Sequence, residues 1–132
     1  MDSFKETFML FRKALFLVLL AFIYLNLVGA TRVKAFPQLP DTAQVISFEA
    51  GRCETFMVTI VIYTYNPSIF NGEIDRIEYY ISETLFAVQL FVDNEAKAVY
   101  ILRPDKSIHR YNSIEELKEG PCEIAERLLP TN

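Results

Sequence analysis

"TLFAVQLFVDNEAKAVYILRPDKSIHRY", residues 84–111, is the stretch whose reading decides the fold. From Thr84 to Asp93 the side chains alternate. Phe86, Val88, Leu90 and Val92 fall on one side, and Leu85, Ala87, Gln89 and Phe91 on the other. A period of two is the signature of a strand, and apolar residues on both sides mean that each face is expected to be covered. Asn94-Glu95 is a short polar connection of the hairpin kind, leading into "AKAVYILR", residues 96–103. Pro104-Asp105-Lys106 suits a type I turn, because proline already holds the φ that the turn needs. Ser107 to Tyr111 then returns as a short strand, and three consecutive strands make an antiparallel meander.

The same period runs upstream. In "ETFMVTIVIYTY", residues 54–65, Phe56, Val58, Ile60 and Ile62 form a strongly apolar face, opposite a mixed face of Thr55, Met57, Thr59, Val61, Tyr63 and Tyr65. That pattern suits a long strand of an antiparallel sheet. Between the two regions, Ile74, Ile77 and Ile81 fit one face of a helix, whereas Ile77, Tyr79 and Ile81 fit one face of a strand. The Tyr and Ile content favours a strand over 73–82, and the helix remains open. Downstream, Ser113-x-x-Glu116 is a capping box that starts a helix near Ile114. Gly120-Pro121 ends it and begins "PCEIAERLLP", whose Ile124, Leu128 and Leu129 form a stripe that must dock on something apolar. The expected fold is α+β: an antiparallel β-meander of four to five strands, with short C-terminal helices packed on one face and an N-terminal apolar signal or anchor helix before it.

That leading segment decides the compartment. Ala14 to Leu25 is apolar apart from the Tyr24 hydroxyl, follows Arg12-Lys13, and is interrupted by Asn26. About 12 residues suits the core of a signal peptide and falls short of the roughly 20 that span a bilayer. Val28-Gly29-Ala30 and Val33-Lys34-Ala35 each offer small residues for cleavage. A cleaved signal is therefore the favoured reading. A retained anchor over residues 14–30 is the alternative, and a buried cytosolic helix is disfavoured because the segment has no polar face. The expected organisation is 1–30 signal peptide or anchor, 31–42 a Pro-containing linker, and 43–132 a single small domain working outside the cytosol.

A chain of 132 residues leaves room for one core. After residue 30 it carries 10 Lys and Arg against 15 Asp and Glu, an acidic balance that argues against a nucleic-acid partner. Cys53 and Cys122 are the only cysteines, and in an oxidising compartment they are expected to form one disulfide. The competing reading is a reactive thiol at Cys122, which follows Gly120-Pro121 at a helix start. There is no CxxC, HExxH or histidine cluster, so neither a metal nor a cofactor is expected.

Catalysis has thin support. His109 is the only histidine and lacks a nucleophile motif such as GxSxG. Asp75, Glu78 and Glu83 are carboxylates close in sequence, but Arg76 sits among them in a polar segment. The aromatic residues say more: Tyr63, Tyr65, Phe70, Tyr79 and Tyr80 cluster near strand ends, and tyrosine suits a surface that is apolar in body and polar at its tip. The favoured function is a non-enzymatic, exported or membrane-tethered domain that recognises another protein through this Tyr-rich sheet face. The alternatives are a carrier of a small apolar ligand, and a small hydrolase using His109 or Cys122.

Overall fold

Seven strands, every neighbouring pair antiparallel, form one sheet in the computed structural model, which describes residues 30–69 and 72–130. The strands are β1 (Ala30–Val33), β2 (Gln44–Arg52), β3 (Met57–Thr64), β4 (Arg76–Ile81), β5 (Thr84–Val92), β6 (Glu95–Leu102) and β7 (Ile108–Tyr111). A 3-10 turn spans Pro67–Ile69, and two short helices close the chain, α1 (Ile114–Leu117) and α2 (Pro121–Leu128). The α+β class, the antiparallel sheet and the C-terminal helices agree with the sequence reading. The expected four to five strands become seven, because β2 and β1 join the two edges of the meander. The expected N-terminal helix over residues 1–30 lies outside the described residues except for Ala30. Among the described residues, no helix is long and apolar enough to cross a membrane.

The strand order is β1-β7-β6-β5-β4-β3-β2, so β2 to β7 follow one another and β1 alone sits out of sequence, at the edge opposite β2. Within the Pro-containing stretch 31–42, Thr31, Arg32 and Val33 pair with Arg110, His109 and Ile108. Residues 34–43 must then cross six interstrand spacings, about 29 Å in a flat sheet. Ten residues reach at most about 36 Å, so the segment has little slack. Pro37 and Pro40 suit such an extended strap, and Arg76 pins its middle by donating from a guanidinium nitrogen to the Pro37 carbonyl at 2.7 Å.

The turns follow local chemistry. Between β5 and β6, Asp93 and Asn94 both take positive φ (53° and 62°), the arrangement of a two-residue type I′ hairpin. Asp and Asn tolerate it because their short side chains allow the left-handed region. The region 73–82 forms β4, so the β pattern of Ile77, Tyr79 and Ile81 prevails over the helical one. A bulge opposes Tyr79 and Tyr80 to Ala87 and Leu85, leaving Phe86 as an extra residue. Phe86 is fully buried and its ring packs at 6.3 Å from that of Tyr79.

Register and alternation divide the sheet into two faces. One, the helix face, carries Val58, Ile60, Tyr79, Ala87, Val99, Ile101 and Tyr111, and these pack with Leu117, Ile124 and Ala125 of the helices into one core. Ser113 caps α1 by accepting from the Glu116 N–H at 3.2 Å, and Glu116 returns the contact by accepting from the Asn112 N–H at 3.1 Å. Lys118 ends the helix at φ 59°, and Pro121 occupies the first turn of α2. The expected disulfide forms between Cys53, in the β2–β3 turn, and Cys122 of α2, closing a separation of 69 residues. Beside it, Glu119 accepts from both Arg103 and Arg127, and Arg103 also donates to the Tyr111 hydroxyl, which clamps the helix pair to the ends of β6 and β7.

Candidate functional site

The other face, here the far face, alternates with the first: Thr59, Val61 and Tyr63 of β3 stand opposite Tyr80, Glu78 and Arg76 of β4. Arg76 and Glu78 are two residues apart on one strand, so their side chains rise on the same side and meet. The Arg76 Nε and a terminal guanidinium nitrogen bond Glu78 Oε2 at 2.8 and 2.7 Å, and Tyr80 donates its hydroxyl to Glu78 Oε1 at 2.7 Å. Both charged residues are buried, at 2% and 3% exposure, which decides their role. Each Glu78 oxygen already has a donor, so this carboxylate ties Arg76 and Tyr80 together on the far face. Burial and the hydrogen bond to Glu78 push the Tyr80 phenol far above its ordinary value. Tyr63 is shifted upward by burial and by the same carboxylate.

Toward the β2 edge this face opens. Val45, Phe48, Thr59, Val61, Tyr63 and Tyr80 line a shallow groove of about 370 Å³. Phe48 is 73% exposed, with Val45, Ile46 and Met57 also exposed along β2 and the start of β3. At the other end of β3, Tyr65 lines a second groove of about 470 Å³ with Pro37, Pro40 and Phe91. Its backbone N–H donates to the Asp75 carboxylate at 2.8 Å, which fixes the turn into β4.

The expected tyrosine cluster is therefore divided. Tyr63 and Tyr80 share a groove on the far face, and Tyr65 borders the neighbouring one. Tyr79 belongs to the helix face, where it packs on the core, reaches Gln89 at 3.5 Å, and is shifted upward by burial. Consecutive residues of a strand point to opposite faces, so Tyr79 and Tyr80 could not act together. Phe70 lies outside the described residues. Phe48 is the residue that sequence reading missed, because "QVISFEAGR" breaks strict alternation: a bulge between Val45 and Ser47 leaves Ile46 out of register.

The catalytic candidates fare differently. Cys122 is bonded to Cys53, so it carries no thiol, which corrects the reactive-thiol reading. His109 Nε2 lies 2.9 Å from Ser107 Oγ, and that hydroxyl and the Ser107 N–H both donate to Asp105. These bonds hold the Asp105 carboxyl below its ordinary range. The carboxylate thus grips serine rather than histidine, the reverse of a Ser-His-Asp relay, and an Asx-type turn closing β6 onto β7 accounts for the bonds. Asp75, Glu78 and Glu83 are not brought together: Asp75 caps a turn, Glu78 binds Arg76, and Glu83 sits in the exposed β4–β5 turn. Among the described residues no group of three or more His, Cys, Asp or Glu is placed to hold a metal. Beneath the helices, Gln89, Val99, Leu117 and Ile124 border a half-open void of about 100 Å³, well under the roughly 300 Å³ at which ligand pockets begin.

Comparison of the chain with protein-family models, with curated proteins and with solved structures gives no match.

Proposed function

We propose that this is a non-enzymatic recognition domain, exported or tethered through residues 14–30, that binds another protein on the β2–β4 part of its far face. The observation that carries the reading is Phe48: a large aromatic ring 73% exposed at the rim of a groove walled by Val45, Val61, Tyr63 and Tyr80. Single exposed apolar residues are ordinary, but several side by side with tyrosines mark contact surfaces. The Arg76–Glu78–Tyr80 bonds beneath hold the tyrosine in place, so a partner would meet a rigid platform and lose little side-chain entropy in binding it.

A photoreactive phenylalanine analogue at position 48 tests this in cells that make the protein. The expected result is a discrete adduct with a different protein, told from any adduct between copies of this chain by its mass, abolished by Tyr63→Ala and absent when the analogue replaces Lys97. Labelling that is diffuse, or equal at 48 and 97, removes the reading.

A further inference from the structure

The outer edge of β2 carries a second and separate message. We propose that two copies of this chain pair through it, β2 against β2 in antiparallel fashion, with a two-fold axis at Ala50. The inference rests on the strand's backbone edge, and it shares Phe48 with the far-face reading, so the tests below separate the two.

The sheet ends at β2, so half of that strand's backbone N–H and C=O groups point outward unpaired by the sheet. Edges are normally guarded by shortness, by proline or by charge, and nine-residue β2 contains no proline or lysine and only two charges of opposite sign, Glu49 and Arg52. The opposite edge, β1, has four residues. The strand also carries a bulge at Ile46, which disrupts only its first residues. From Ser47 to Arg52 it pairs regularly with β3.

Geometry leaves four positions for the axis. In an antiparallel ladder the opposed residues both direct their backbone groups at the partner or both away from it, so a two-fold axis falls on a residue and never between two. Within the regular stretch the choices with a pair on either side are Phe48, Glu49, Ala50 and Gly51. An axis at Glu49 opposes that carboxylate to its own copy, which repels. An axis at Phe48 carries the ladder into the bulge after one pair on either side, and an axis at Gly51 carries it past the end of β2 after one pair on either side. An axis at Ala50 sets five consecutive regular pairs, 48 with 52, 49 with 51, and 50 with itself.

The side chains match that register. Arg52 of each copy falls directly opposite Phe48 of the other, on the same face, where a guanidinium covers an aromatic ring favourably. Phe48 and Arg52 are both exposed in the single chain, so neither gives up an existing packing partner. Glu49 meets Gly51, and no like charges are opposed. A Cβ at Gly51 would stand 3.0 Å from the Val58 side chain and 3.2 Å from that of Ile60, so a larger residue there would press on both. Closure by a two-fold uses both copies of the edge, so the pairing stops at two. The two far-face grooves then lie in one continuous sheet of fourteen strands.

Site-directed cross-linking of the full chain tests the pairing and its register. Residues on the axis lie about 4.5–5.5 Å apart between Cα atoms, within disulfide range. Ala50→Cys should give a covalent dimer on mild oxidation at least ten-fold more than Phe48→Cys or Glu49→Cys, with peptide mapping showing a 50–50 link. Equal yields at the three positions, a maximum at 48 or 49, or no dimer at 50 would each overturn the proposal. Arg52→Glu, which places a carboxylate against the Phe48 ring, should weaken the uncross-linked dimer about ten-fold by sedimentation equilibrium, and an unchanged dimer counts against it. Tyr63→Ala should leave the 50–50 link intact while removing the heterologous adduct, so the two readings fail separately.

Discussion

The two faces of one sheet solve burial in opposite ways. On the helix face, Val58, Phe86, Val99, Ile101, Ile124 and Ala125 fill the space with hydrocarbon, and a disulfide and the Arg103–Glu119–Arg127 clamp hold the helices down. On the far face, the buried centre includes a full ion pair, Arg76–Glu78, that also ties the strap through Pro37. Apolar contacts are non-directional and stabilise in proportion to area, whereas a buried ion pair must offset a large desolvation cost and gains orientation instead. The lesson is that the helix face holds the molecule together, while the far face holds particular groups in particular places.

Substitutions can break this contrast. Arg76→Met strands the Glu78 carboxylate in a dry site and should cost about 3–5 kcal/mol in denaturant unfolding. The double variant Arg76→Met/Glu78→Leu should recover most of that loss, and a double variant no better than the single would show that the pair itself stabilises. Replacing Cys53 and Cys122 by serine opens a loop of 69 residues, which in the chain-entropy account corresponds to about 4 kcal/mol. Thermal unfolding of the two forms measures it. Removing the Ser113 cap with alanine should cost about 1 kcal/mol, read by the same unfolding curves.

The pH responses should separate the faces as well. Burial works to raise the Glu119 carboxyl, but its bonds to Arg103 and Arg127 outweigh that and lower it. Its contribution is complete above the unfolded value near 4.5 and is lost as pH falls through the lower folded one. Glu119→Gln should therefore reduce the loss of stability below that pH. Tyr80 is shifted the other way, so its contribution is complete below the unfolded value near 10 and is lost as pH rises toward the higher folded one. Absorbance titration at alkaline pH should show a late-ionising tyrosine that disappears in Tyr80→Phe, and an unchanged titration curve would place the phenol in water.

Much of the meander is legible in the residues themselves. Strict alternation from Phe86 to Val92 and from Phe56 to Ile62 predicts strands, the Ser113-x-x-Glu116 pair predicts a helix start, and a count of two cysteines predicts their bond. The two edges are not legible. β1 has four residues, too few for a period to show, and β2 hides its alternation behind the bulge at Ile46. The site is half legible. A tyrosine-rich surface is expected from the sequence, yet Tyr79 turns inward and Phe48 takes its place, because neighbours in sequence point to opposite faces of a strand.

Local patterning alone determined the class of the domain, its central strands, its helix caps and its pairing of cysteines, since each depends on residues within one turn, one strand or one count. Tertiary structure decided which residues share a surface. That β1 lies at the edge opposite β2, that a ten-residue strap joins them, and that Arg76 reaches Pro37 are consequences of strand order. Strand order rests on contacts between residues far apart in the chain, so no local pattern records it.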